Sequence, residues 1–116
     1  MFLDKDTYKK INISVQELKE KIDRGEDFIL LDVREPAEYE FSRIREKDAF
    51  LIPLMKLPTV IDTLPKDKPI YIICRSGNRS LQATLWLMEK GFKNVKNVEG
   101  GILSWSEFID PTVPQY

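Results

Sequence analysis

The segment Ile70-Tyr71-Ile72-Ile73-Cys74-Arg75-Ser76-Gly77-Asn78-Arg79-Ser80 decides how this chain folds. Its apolar residues run without alternation, which suits a strand buried on both faces of a parallel sheet. A polar loop follows. Ser80 then opens a helical stretch reaching Lys90, with Leu81, Leu85 and Met88 expected on one face. Gly91 is its expected C-cap.

The same alternation extends in both directions. Upstream, Phe28 to Val33 is a second continuous run, broken only by Asp32. Pro36 sits well at the first turn of a helix through Phe41. Ser14 and Glu17 have the spacing of a capping box. They precede a helix with Val15, Leu18 and Ile22 on one face, Glu17–Lys21 and Glu20–Arg24 on the other, and Gly25 at its end. Ile11 and Ile13, Ala49 to Ile52, and Val95 to Val98 read as shorter strands. The segment between Pro53 and Leu64 reads as irregular or short helix. Gly100-Gly101 is a hinge before a last helix, Ile102 to Phe108.

Strands therefore alternate with helices, which predicts an α/β domain with a mostly parallel central sheet and helices on both faces. Residues 1–10 read as a polar N-terminal arm, residues 11–109 as the domain, and residues 110–116 as an extended tail.

The chain has 116 residues, 18 basic and 19 acidic side chains, no histidine and one cysteine. Without an imidazole, Cys-His and Ser-His hydrolysis is excluded. One Cys/His residue falls short of the about four ligands of a structural zinc site. One thiol excludes a dithiol centre or an internal disulfide. The net charge of −1 gives no electrostatic case for nucleic acid or an anionic membrane. No apolar run approaches the ~20 residues of a membrane helix. With no secretory-type apolar run in residues 1–10 and no disulfide framework, a reducing, cytoplasmic setting is the expectation.

In parallel sheets of this kind, ligands bind outside the carboxyl ends of the strands, and Cys74 sits at such an end. Successive loop amides and a helix amino end form an anion-binding concavity. Gly77 and Asn78 tolerate the left-handed backbone a tight cradle needs. Arg75 and Arg79 add two permanent positive charges. All three effects favour the thiolate over the thiol, which supplies a nucleophile without a histidine. Two plainer readings stand beside this one: Cys74 as a small core residue, and the loop as an anion site without chemistry.

Several motifs in order resemble the rhodanese domain family. They are Leu31-Asp-Val-Arg-Glu-Pro-Ala-Glu-Tyr39, Ala49 with Ile52-Pro53, Ile73 to Ser80, Leu87 to Gly91, and Val98-Glu-Gly-Gly-Ile-Leu-Ser-Trp105. The resemblance implies a sulfurtransferase with Cys74 as nucleophile and Arg75, Ser76, Gly77, Asn78, Arg79 and Ser80 as the substrate-binding loop. It implies a small anionic sulfur donor such as thiosulfate, a persulfide on Cys74, and transfer of the outer sulfur to a nucleophilic acceptor. Neither metal nor cofactor is called for. The tail, Asp110-Pro-Thr-Val-Pro-Gln-Tyr116, resembles the end of rhodanese domains fused behind adenylating enzymes for ubiquitin-like sulfur carriers. The resemblance thereby implies a sulfur-acceptor protein as partner.

Two other functions compete. One is a noncatalytic module of the same fold that docks a partner. The other is a cysteine phosphatase or arsenate reductase, but phosphatase loops place arginine after five intervening residues. Here four residues separate Cys74 from Arg79, and Ser80 occupies the phosphatase arginine position. Asp32 and Arg34 read as a supporting polar network at a strand end, since a buried carboxylate is costly unless paired. Glu35 and Glu38 read as a helix-start charge pattern, and Trp86 and Trp105 as packing residues. Ser42 to Ala49 departs from the family pattern, lacking its glycines and histidine.

Overall fold

The computed structural model describes residues 4–116. Five strands form one sheet: β1 (Asn12–Ile13), β2 (Ile29–Asp32), β3 (Ala49–Leu51), β4 (Ile70–Ile73) and β5 (Val95–Val98). Their order is β1-β5-β4-β2-β3, and every pairing is parallel. The helices are α1 (Lys5–Ile11), α2 (Val15–Asp23), α3 (Pro36–Phe41), α4 (Leu57–Val60), α5 (Asn78–Glu89) and α6 (Gly101–Phe108), with short 3-10 turns on either side of α4. This is the α/β architecture expected from the apolar runs. The decisive strand, β4, lies in the middle of the sheet.

Every residue of β2 and β4 is buried. Alternation sends Leu30, Tyr71 and Ile73 to a core shared with Leu18, Ile102 and Trp105. It sends Leu31, Ile70 and Ile72 to a second core with Leu57, Ala83 and Leu87. Helices α2 and α6 thus cover one face, and α4 and α5 the other, which is why these strands are apolar throughout. Local signals act as read. Ser14 Oγ accepts from the Glu17 amide at 3.1 Å and caps α2. Arg24 and Glu20 pair at 3.8 Å, whereas Lys21 turns to Glu26 at 3.4 Å instead of to Glu17.

Three expectations are corrected. Residues 5–10 of the expected arm, and Ile11, which read as strand, are helical: Asp4 Oδ1 accepts from the Thr7 amide at 2.8 Å, basic Lys9 and Lys10 fill the last turn, and Ile11 is buried. Residues 1–3 lie outside the described residues. On α5 the inward face is Ser80, Ala83, Thr84 and Leu87, while Leu85 is exposed and Leu81 and Met88 are half-buried. Small and hydroxyl-bearing residues here let the helix lie close to the sheet. The tail, expected to be extended, begins with a turn in which the Val113 amide donates to the Asp110 carbonyl at 3.1 Å. Val113 is 1% exposed and joins the core under α2 and α6. Ser106 Oγ donates to the Val113 carbonyl at 2.6 Å, and Ser42 Oγ donates to the Pro114 carbonyl at 2.5 Å.

Asp32 and Arg34 form the buried polar network expected of them. Arg34 is 0% exposed. Its Nε donates to Asp32 Oδ1 at 3.0 Å and its Nη2 to Asp32 Oδ2 at 2.8 Å. The rest of the guanidinium satisfies the Glu38 carbonyl at 3.3 Å and the Ser42 carbonyl at 2.6 Å, closing the carboxyl end of α3. Removing one partner of a buried pair leaves the other charge uncompensated. Arg34→Met is therefore expected to cost about 3–5 kcal/mol in denaturant unfolding. A loss below about 1 kcal/mol, the scale of a surface pair, would contradict this account.

Candidate active site

Cys74 follows the last residue of β4, and the loop from it leads straight into α5. Gly77 takes a φ of +104°, and a Cβ there would press to 3.3 Å from the Gly100 amide. That turn brings the Gly77 amide to 3.1 Å and the Ser80 amide to 3.4 Å from Cys74 Sγ, both donating. Ser80 Oγ lies 3.2 Å from the same sulfur. Inward amides and the amino end of a twelve-residue helix together form a site for negative charge.

Amides can face inward only if the loop carbonyls are satisfied elsewhere. The first turn of α6 does this: the Ile102 amide donates to the Cys74 carbonyl at 3.0 Å, and the Leu103 amide to the Arg75 carbonyl at 3.1 Å. Gly101 makes the approach possible. A Cβ on it would overlap the carbonyl oxygens of both Cys74 and Arg75.

The two arginines have different partners. Arg79 is held by Glu38, Nη1 to Oε1 at 2.7 Å and Nη2 to Oε2 at 2.8 Å. Arg75 lies over the Tyr116 ring, 5.4 Å from its centroid. Among the described residues, the hydrogen bonds to Sγ come from Gly77 and Ser80. Ser76 and Asn78 are exposed on either side of buried Gly77. Asp32 stands in register with Ile73, so its pair with Arg34 lies one strand over from the cysteine.

Glu38 is the residue whose place at the site went unread. It does complete a helix-start pattern, accepting from the Glu35 amide at 3.0 Å. Its carboxylate also reaches across to Arg79. The available signal was that the starts of α3 and α5 both follow strands and so share one edge. The Arg79 guanidinium holds the Glu38 carboxyl down to about 2, against an ordinary 4.5. In return Glu38 raises the pKa of Arg79. Cys74 itself is 1% exposed.

These features define a parallel α/β domain whose carboxyl edge carries an anion cradle centred on one cysteine. Residues 14–108 match the rhodanese-like domain, and the chain belongs to that family. It is 38% identical over 101 residues to a protein from Allochromatium vinosum named sulfurtransferase, covering 87% of this chain and 92% of that one. It is 37% identical over 116 residues to the adenylyltransferase and sulfurtransferase UBA4 of Debaryomyces hansenii, covering 92% of this chain but 26% of that one. This bears out the resemblance drawn from the tail. The crystal structure of a rhodanese-related protein from Thermoplasma volcanium superposes with a TM-score of 0.73 at 35% identity, covering 91% of this chain and 99% of that one.

The depressed Glu38 value has a defined consequence for stability. A carboxyl whose folded pKa lies below its unfolded value stabilises the fold above the unfolded value and loses that contribution as pH falls. The window runs from about 4.5 down to about 2. Glu38→Gln is expected to melt below the parent at neutral pH, with the gap closing across that window. Melting curves that stay equally separated down to the acid end would refute the pairing.

Proposed function

We propose that this chain moves sulfane sulfur from a small anionic donor such as thiosulfate, through a persulfide on Cys74, to a nucleophilic acceptor. The observation that carries this reading is the pair of backbone N–H groups at Sγ, in a chain with no imidazole to serve as base. The Cys74 thiolate attacks the sulfane sulfur of the donor. A bond forms between Sγ and that sulfur, the donor's own S–S bond breaks, and sulfite leaves with the electron pair. An acceptor nucleophile then attacks the outer sulfur, and Cys74 departs as thiolate. This is two-step covalent catalysis with ping-pong kinetics.

The roles proposed for the loop follow from its chemistry. The amides of Gly77 and Ser80 hold negative charge at the sulfur. Arg75, Ser76 and Asn78 are exposed where a donor anion would arrive. Arg79, braced by Glu38, keeps a positive charge beside the loop, and Asp32 with Arg34 secures the strand end beneath it. A Bacillus subtilis relative named putative sulfur carrier protein, 39% identical over 94 residues, supports a sulfur-accepting protein, such as a ubiquitin-like sulfur carrier, as partner. The proposed setting is the cytoplasm, where a lone thiol stays reduced. Among the described residues, no helix is long and apolar enough to cross a membrane.

One observation favours a second reading. A sulfur in a 1% exposed residue is what a noncatalytic docking module of this fold would show. Against it, a cysteine serving only to fill space has no use for two backbone amides. The four-residue spacing before Arg79, and the turning of that arginine onto Glu38, leave phosphatase or arsenate-reductase chemistry the weakest reading.

Mass spectrometry after thiosulfate treatment separates these readings. The expected result is a gain of one sulfur on Cys74, reversed by cyanide with release of thiocyanate. Cys74→Ser is expected to lose transfer by at least about a hundredfold, as when a covalent nucleophile is removed. No added sulfur, or undiminished transfer by Cys74→Ser, would sink the proposal.

A further inference from the structure

Behind Ser80 lies a file of side-chain hydrogen bonds that sulfur transfer at Cys74 does not itself require. Ser80 Oγ donates to Asn97 Oδ1 at 2.5 Å. Asn97 Nδ2 donates to Asn12 Oδ1 at 2.9 Å. Asn12 Nδ2 donates to the Tyr8 carbonyl at 3.2 Å. Ser80 and Asn97 are buried, and Asn12 is half-buried.

The far end sets the direction of every bond. A backbone carbonyl can only accept, so Asn12 turns its NH2 to Tyr8 and its oxygen to Asn97. Asn97 then turns its own NH2 to Asn12 and its oxygen to Ser80. A serine hydroxyl has one proton, and Asn97 receives it. What remains for Cys74 Sγ, 3.2 Å away, is an oxygen lone pair. A lone pair accepts a hydrogen bond from a thiol S–H and repels a thiolate.

We infer that Asn97 and Asn12 are positioning residues which, through the orientation of the Ser80 hydroxyl, hold Cys74 as a neutral thiol in the resting protein. Thiolate formation, with the thiol proton passing to a solvent base, then requires the hydroxyl to turn from Asn97 to the sulfur. The Gly77 and Ser80 amides act in the opposite sense. Two sets of hydrogen bonds therefore oppose each other at one atom. The inference rests on Cys74 being the reacting group, but it concerns ionisation, which is read without any sulfur transfer.

The charged groups on the elements packed around the thiol are Arg75 of the loop, Arg79 of α5, Asp32 and Arg34 at and just after the end of β2, and Glu38 of α3 through Arg79; Glu99, after β5, is engaged with the Tyr8 side chain instead. None is altered in the test.

The test is the rate of alkylation of Cys74, the only cysteine, by neutral iodoacetamide against pH. Each profile is normalised to its high-pH plateau, so that a change in access does not count. Asn97→Ala removes the acceptor that takes the serine proton. Asn12→Ala is the milder change, because without Asn12 the Asn97 amide can turn over and offer N–H to Ser80. Both variants are expected to show profiles displaced to lower pH, with about fivefold faster normalised alkylation on the rising limb, the scale of one hydrogen bond. Adding Asn12→Ala to Ser80→Ala should then produce no displacement relative to Ser80→Ala alone. An unchanged profile, or one displaced to higher pH, in an Asn12→Ala protein with the parent's circular dichroism overturns the inference. A displaced profile supports it even where no persulfide forms, which is the result that sinks sulfur transfer instead.

Discussion

The structure depends on where the carbonyls of Cys74 and Arg75 point. A peptide unit that turns its N–H inward turns its C=O outward, and a buried C=O needs a donor. The amides of Ile102 and Leu103 are those donors, at 3.0 and 3.1 Å. They are free to serve because the first amides of any helix lack intrahelical partners. The loop's unsatisfied acceptors are thus matched to α6's unsatisfied donors. From this follow the glycine at position 101 and the need to hold α6 rigidly. The tail contributes by packing Val113 beneath α6 and accepting from Ser106.

A second set of contacts holds the other side of the loop. It begins at Asp32, passes through Arg34 to the carboxyl end of α3, and continues from the Glu38 side chain of α3 to Arg79. A buried ion pair is weak evidence for net stability, because desolvation offsets much of the attraction. Its effect here is geometric. Arg34 has hydrogen bonds to Asp32, Glu38 and Ser42, which leave α3 one orientation over the sheet edge. Glu38 is thereby aimed at α5. An apolar residue in place of Arg34 could fill the volume but could not specify that angle.

What the sequence made legible follows from which forces are local. Continuous apolar runs at residues 28–33 and 70–74 identify the central strands, because both faces of a parallel sheet are covered. The Ser14 cap and Pro36 mark helix starts through contacts within a single turn. The loop was legible because Cys74 through Ser80 is contiguous. The inner face of α5 was misjudged by following the largest apolar side chains. Ser80 and Thr84 are inward because they are hydrogen-bonded, Ser80 to Asn97 and Thr84 to the Ser80 carbonyl. Polarity alone gave the wrong sign. Helix α1 had a readable cap in Asp4, but few apolar residues to announce it. The Glu38–Arg79 pair spans 41 positions and the Asn97–Asn12 bond 85. Each exists only after the sheet order β1-β5-β4-β2-β3 has brought those strands and helices together.

The absent histidine bears on more than the choice of nucleophile. The charged partners at this site stay charged across the physiological range: Glu38 ionises near 2, and Arg79 lies above its already high ordinary value. With no imidazole in the chain, the charges of that pair do not change through the neutral range. The side chains hydrogen-bonded behind the sulfur are neutral ones, a hydroxyl and two carboxamides, which are free to change partners by rotation without titrating. Such a site changes its donor pattern without gaining or losing a proton of its own. What can vary around the sulfur is then hydrogen-bond direction, set against the fixed charges of Glu38 and Arg79.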